Sequence, residues 1–335
     1  MPAKRSYKMG YATRKQLCTG RDGCGCAANP SQNRSHRQRG LALVAVLWVL
    51  ILLSLLAANL SQGSRSNGQL TLNLVDATRG KYASEAGMQW ALWNLQQPEE
   101  NQWLADGGPQ LLEFDDIDVW VALQDESGKI DLNAAPVELL TGLFLAAGAA
   151  GPQAEALADA ILDYRDEDDL RRLNGAEDDD YLAVGREDGA KDARFDKVEE
   201  LQLVLGVTPA LYRQVRSSVT VLNGQAGINP LYAPRLALLS LPGADEGTVD
   251  QYIEQRRRNR LDGLPPPELP LPDSQYVSQG RSGINYTVLA ESRVGKVVRT
   301  RYSARMGRRG GGQRGGLTLT EIRREMQPLF EIEER

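Results

Sequence analysis

Between Asp163 and Leu182 the sequence reads D-Y-R-D-E-D-D-L-R-R-L-N-G-A-E-D-D-D-Y-L, and residues 155–200 carry seventeen acids against seven bases. Such a concentration of carboxylates could hold a metal ion, move protons, or simply face water. The only histidine is His36 and the only cysteines are Cys18, Cys24 and Cys26, so residues 41–335 contain neither imidazole nor thiol. That excludes Ser-His-Asp and Cys-His catalysis, thiolate zinc sites and disulfides from the body of the chain. A metal there has to be held by oxygen, the preference of hard cations such as calcium. Carboxylates that repel one another become stabilising once a dication lies between them. The pattern is not an EF-hand, because with Asp166 as the first position Arg171 stands where that loop needs glycine. Two other readings compete. One is a solvated charged face or loop; the other is a membrane-anchored hydrolase working through two carboxyls held at fixed separation in a cleft. No pair is singled out from the many acids.

The overall charge narrows the partners. Lys and Arg total 39 against 44 Asp and Glu, a net charge of -5. Residues 1–40 hold nine of the bases and one acid, Asp22, which leaves -13 on residues 41–335. A body that acidic argues against nucleic acid, whose binding rests on neutralising phosphates with Lys and Arg.

The elements that must position the acidic stretch are legible around it. Ile117–Gln124 alternates as a strand, and Glu126–Gly128 is a turn. The run D-L-N-A-A-P-V-E-L-L from Asp131 is echoed 98 residues later by N-P-L-Y-A-P-R-L-A-L-L from Asn229. Asn or Asp ahead of Ala-Pro suits a helix start, and each copy leads to a second helical stretch, 161–165 and 252–256, so the two form an internal repeat. Phe195–Leu205 reads as a helix, and Tyr286–Val294 and Lys296–Arg305 as a hairpin about Gly295. Gly107–Pro109 reads as a break and residues 307–316 as a flexible connector.

At the other end, Leu41–Leu60 is twenty residues without a charge, long enough to cross a bilayer as a helix. Arg34, Arg37 and Arg39 precede it and predict a cytoplasmic amino end with the body across the membrane. Helical spacing continues through Leu70, Leu74, Ala77, Tyr82, Ala86, Trp90 and Trp93 to Gln97, where Pro98 ends it. This stripe is expected to face a globular domain, with Gly63, Gly68 and Gly80 marking bends.

A basic leader, Gly40, the apolar run and its amphipathic continuation resemble a type IV prepilin or pseudopilin. The resemblance implies cleavage by a prepilin peptidase between Gly40 and Leu41 and methylation of the new amino terminus. Most such chains have glutamate at the fifth mature position, where this one has Ala45, which is what the end of a filament would tolerate. The ordered set S-G-K-I-D-L-N-A-A-P, D-Y-R-D-E-D, N-G-A-E-D-D-D-Y, F-D-K-V-E-E-L-Q-L-V-L-G and I-N-P-L-Y-A-P is similar to the general secretion pathway protein K family of type II secretion. The similarity covers residues 35–305 and leaves out the long leader, with its cysteines, and the tail.

That resemblance implies an α+β fold with a long transmembrane pilin helix, an antiparallel pilin-like sheet and a large inserted α-helical domain of SAM-like or helix-hairpin-helix-like type. The expected boundaries are a leader at 1–40, removed on processing, and a pilin helix with a membrane half at 41–60 and a periplasmic half at 61–97. The β domain is expected at 110–132 and 283–306, the inserted domain at 133–282 and a flexible tail at 307–335. It implies calcium in the acidic loop, where Asp163, Asp166, Asp168, Glu177, Asp178 and Asp179 are the expected ligands. The implied function is that of a non-enzymatic minor pseudopilin at the tip of the pseudopilus, single-pass in the inner membrane with its body in the periplasm. Its expected partners are the minor pseudopilins of I and J type, the major pseudopilin, the prepilin peptidase, and exoproteins and the secretin. The alternative is a minor pilin-like component of another type IV filament, for DNA uptake or adhesion.

Overall fold

A computed structural model describes residues 41–271, 275–278, 283–295, 298–308 and 316–330. Gly40, the rest of the leader and the connector 309–315 lie outside the described residues. The chain divides into two compact units, Met1–Arg65 and Ser66–Arg335. The described part of the first unit is helical. It belongs to α1 (Leu41–Asn94), the one helix among the described residues long and apolar enough to cross a membrane.

In the second unit, α1 buries mostly small residues, with Met88 the one large side chain among them. Gly80, Ala83, Ser84, Gly87, Met88 and Ala91 are buried, whereas Leu70, Leu74, Tyr82, Trp90 and Trp93 are exposed. The stripe expected from hydropathy is therefore not the buried face. The reason is close approach to a sheet. A Cβ on Gly87 would fall 2.7 Å from Val121 Cγ2, and one on Gly80 2.4 Å from Thr300 Oγ1. Ser292 Oγ donates to the Gly80 carbonyl at 2.7 Å, so Gly80 marks a contact and not a bend. Gly87→Val should accordingly destabilise the protein by about 2 kcal/mol through overpacking. Gly68→Ala, with nothing within 4 Å of its Cβ, should be neutral or slightly stabilising in the same thermal melts.

The strands, in chain order, are β1 (Asp106–Phe114), β2 (Ile117–Asp125), β3 (Ile130–Asp131), β4 (Val219–Thr220), β5 (Asn285–Val294), β6 (Val298–Arg308) and β7 (Leu317–Arg324). Five form one sheet in the order β1-β2-β5-β6-β7, every pair antiparallel, while β3 and β4 pair in parallel. Val119, Val121, Val288, Ala290 and Ala304 share a buried core with Ala83, Met88 and Ala91 of α1. Gly107–Pro109 is not a break; it is crossed by β1 through a register shift between Asp106 and Pro109.

The tail corrects a further expectation. Residues 317–324 are a fifth strand rather than a flexible end, pairing Met306 with Leu319 and Tyr302 with Arg324. Alternation in L-T-L-T-E-I-R-R turns Leu317, Leu319, Glu321 and Arg323 to the less exposed face, where Arg323 reaches Glu199 at 2.6 Å. Beyond it, Leu329 N donates to the buried carboxylate of Glu291 at 3.0 Å.

Between β2 and β5 lies a helical body: α2 (Val137–Ala146), α3 (Gly151–Arg165), α4 (Asp178–Ala183), α5 (Pro209–Val215), α6 (Arg235–Leu239) and α7 (Glu246–Leu261). Its core gathers Leu139, Leu143, Phe144, Ile161, Leu201, Leu238 and Tyr252. The two copies of the sequence repeat make the same local structure. Asp131 and Asn229 each accept from the amide two residues on, at 2.8 and 3.1 Å, and Pro136 and Pro234 then cap α2 and α6. The copies touch closely, since a Cβ on Gly142 would meet Ser240 O at 2.1 Å. Phe195–Leu205 does not form the expected helix. Only a 3-10 turn, Val198–Leu203, forms, because Asn133 holds the Phe195 backbone through bonds of 2.7 and 2.9 Å.

An ion pair ties body to sheet. Arg256 of α7 is 2 % exposed, donates to Asp106 Oδ2 of β1 at 3.0 Å and to Pro230 O at 2.6 Å, and shares Asp106 with Arg257 at 2.7 Å.

Candidate functional site

The acidic stretch is positioned by two helix ends. The last turn of α3 buries Asp163 completely and leaves Asp166 as its C-cap. Glu177 is the N-cap of α4 in a capping box with Asp180, whose carboxylate accepts from Glu177 N at 3.2 Å. The intervening loop is folded onto Asp163. Arg172 N donates to it at 3.2 Å, and Gly175 sits so close that a Cβ would lie 1.8 Å from Asp163 Oδ2. A third segment returns over the same place. Ala190 N donates to Asp178 Oδ1 at 2.9 Å, and Asp192 takes a left-handed φ of 52°, which aspartate tolerates.

The electrostatics show how crowded these acids are. Burial, then the neighbouring charges of Asp163, Asp166, Asp192 and Asp169, push Glu177 up to about 7. Burial, opposed by the Arg172 backbone bond, brings Asp163 to about 6. Asp166 and Asp192 are also raised, first by burial and then by other carboxylates. Arg172 is drawn between Asp163 and Asp166, at 3.3 and 3.6 Å, as a partial counter-charge. Three buried oxygens nevertheless have no partner: Asp166 Oδ1, Glu177 Oε1 and Asp192 Oδ1. Glu177 as a whole is only 8 % exposed. Buried unpartnered carboxylate oxygens are costly, and a cation is the group that would satisfy them.

Of the six residues expected as ligands, Asp163, Asp166 and Glu177 are brought together. Asp168 and Asp178 stand at the rim: Asp168 is exposed and spends Oδ1 on Leu170 N at 3.0 Å, while Asp178 holds the 189–190 segment. Asp179 is exposed on α4. Asp192 joins the group unannounced, fifteen residues after Glu177, with no spacing that would have flagged it. Among the described residues, no three Asp, Glu, His or Cys side chains are already closed into an ion-holding arrangement. The donors suit an oxygen-seeking cation by type, burial and unmet bonding.

Comparison with known proteins gives a consistent picture. Residues 121–224 match the family model described as "Type II secretion system (T2SS), protein K". The chain is 28 % identical to type II secretion system protein K of Klebsiella pneumoniae over 229 residues, covering 62 % of this chain and 70 % of that one. It is 27 % identical to the protein of the same name from Dickeya chrysanthemi over 291 residues, covering 66 % and 78 %. Among solved structures, a chain of the GspK-GspI-GspJ complex from the enterotoxigenic Escherichia coli type 2 secretion system shares the fold, with a TM-score of 0.52 at 17 % identity over 75 % of this chain and 97 % of that one. With a mixed helix-and-sheet fold behind one apolar amino-terminal helix, and an acidic loop built on a repeated helical module, the chain is similar to type II secretion system protein K in sequence and shares its fold.

Proposed function

We propose that the protein works as a minor pseudopilin of type II secretion. The observation carrying this reading is the family match over residues 121–224, from β2 through α5, on a chain whose α1 is long and apolar enough to cross a membrane. The related structure is a complex of K with I and J proteins, which makes minor pseudopilins of those types the first partners to seek. Ala45 lacks the carboxylate that would pair with a neighbouring amino terminus, so the subunit suits the tip of a filament and not its shaft. Arg34, Arg37 and Arg39 favour a cytoplasmic leader, an inner-membrane span and a periplasmic body. The pilin-like sheet and a SAM-like helical insertion are the finer fold reading. Co-expression with I- and J-type partners should give one stable complex by size-exclusion chromatography; consistent elution of this chain alone would overturn the assignment.

Processing belongs to the same proposal. The prepilin peptidase is expected to cut between Gly40 and Leu41, with methylation of the new terminus. Replacing Gly40 by valine should leave the precursor at full size in cells with an active peptidase. Normal maturation of that variant would refute the cleavage position.

The third element is a metal. Asp163, Asp166 and Glu177, joined by Asp192 and flanked by Asp168 and Asp178, would hold calcium, with backbone carbonyls completing an oxygen shell. The ion would supply positive charge to a loop that otherwise buries several carboxylates beside one another. Its role is structural, fixing the 166–192 segment against the end of α3.

A further inference from the structure

Asn-Gly occurs three times, at Asn67-Gly68, Asn174-Gly175 and Asn223-Gly224, and the fold treats the three differently. Glycine after asparagine leaves the following amide nitrogen unshielded, so that it can attack the side-chain carbonyl when the backbone is able to turn toward it. Asn67-Gly68 is inside α1, where the helix ladder engages Gly68 N and fixes the backbone in a geometry that keeps that nitrogen away from Cγ. Asn223 is buried and clamped: Nδ2 donates to Glu126 O at 3.0 Å and Lys129 O at 2.8 Å, and Oδ1 accepts from Gln225 N at 2.8 Å. Gly224 N, which would be the nucleophile there, is engaged by Asp131 Oδ2 at 2.7 Å. Asn174 is exposed in the loop between α3 and α4. Its side-chain amide makes one long bond, 3.3 Å to half-buried Asp159, and Gly175 N is held only by a 3.2 Å turn bond to Arg172 O.

We propose that Asn174 is a site of spontaneous covalent modification, the place where this protein converts asparagine to aspartate and isoaspartate. Gly175 N, losing its proton to solvent, attacks Asn174 Cγ. The bond from Cγ to the side-chain nitrogen breaks and ammonia leaves, giving a cyclic imide. Water then opens either carbonyl of the ring, yielding an aspartyl or an isoaspartyl residue with one added negative charge. No enzyme, oxidant or cofactor is needed.

The surroundings give this change a consequence. Asn174 donates both N and Nδ2 to Asp159 Oδ2, at 3.2 and 3.3 Å, so a carboxylate at 174 would replace one of these attractions by repulsion. An isoaspartyl link also lengthens the backbone by one methylene beside Gly175, where a single added carbon would already collide with Asp163 Oδ2. Modification is therefore expected to release the loop from the end of α3, whether or not that loop binds an ion.

The test is to age the intact protein in detergent micelles in mildly alkaline buffer and map its peptides by mass spectrometry. Position 174 should gain about one dalton and split into two isomers, at a rate at least about tenfold above positions 67 and 223, whose reaction waits on local unfolding. In urea the three rates should converge, since the dipeptide is the same. Equal rates in the folded protein, or a preference for 174 that survives urea, would overturn the proposal. Aged protein should also be cut faster than fresh protein by added protease within 166–177, whereas aged N174Q should not. Equal cleavage of aged wild type and aged N174Q would refute the loosening.

Discussion

Millimolar calcium should raise the melting temperature of the purified protein, relative to chelator, by several degrees. A ligand that binds only the folded state at a hundredfold excess over its dissociation constant adds about 2.7 kcal/mol, which for a domain of this size is roughly 5–10 °C. Magnesium should do much less, because it demands a tighter octahedron than loops of this kind supply. Glu177→Ala and Asp166→Ala should each remove most of the shift, while Glu113→Ala, on exposed β1 surface, should leave it intact. The pH dependence carries a sign. Asp163 and Glu177 keep their protons to about 6 and about 7 when folded, but release them near 3.8 and 4.5 when unfolded. The folded state binds more protons through that window, so without calcium the protein should lose stability as pH rises from about 4 to about 7. Calcium competes with those protons, so its stabilising effect should be larger at the upper end of the window than at the lower. A melting temperature indifferent to chelator would leave the acidic stretch as a solvated face.

The second large effect is expected far from the acids. Asp106→Ala removes the carboxylate that faces Arg256, and a guanidinium 2 % exposed is left with no counter-charge, only the Pro230 carbonyl and the Tyr252 ring. Breaking one side of a buried pair costs about 3–5 kcal/mol. Arg257→Ala, which removes an arginine about half exposed, should cost under about 1 kcal/mol. Asp106→Leu combined with Arg256→Met should recover much of the loss, since a well-packed apolar pair often equals a buried ionic one. A melt of Asp106→Ala within a degree of wild type would show that the contact carries no such weight.

What could be read in the sequence follows from where the physical signal is local. The twenty apolar residues before Ser61, the alternation of Ile117–Gln124 and the two Asx-Pro helix starts each declare themselves within a dozen residues. The buried face of α1 does not, because a helix that must lie almost against a sheet uses Gly80, Ala83, Gly87 and Ala91, whose small side chains weigh little in any hydropathy pattern. β7 was hidden by the glycine- and arginine-rich run before it, which reads as the end of the fold although a strand follows. The acidic site was half legible: its carboxylates are obvious as a group, but which of them converge depends on the helix ends that carry them. Asp192 enters only because the chain doubles back through Gly189, against which Asp178 closes.

The register of β2 on β5 has a consequence for how such a molecule can change. Asp125 stands opposite Tyr286 and Gln124 opposite Thr287, so the chain leaves the sheet and rejoins it at adjacent rungs. In topological terms the entire helical body is the loop of a single oversized hairpin. Lengthening a closed loop raises its entropic cost only logarithmically, about 0.6 kcal/mol per doubling. The body can therefore gain or lose helices, or be exchanged wholesale, while the strands keep their partners. What any replacement inherits is the need to present a cation to Asp106, the one buried acid of β1 that such a graft would orphan.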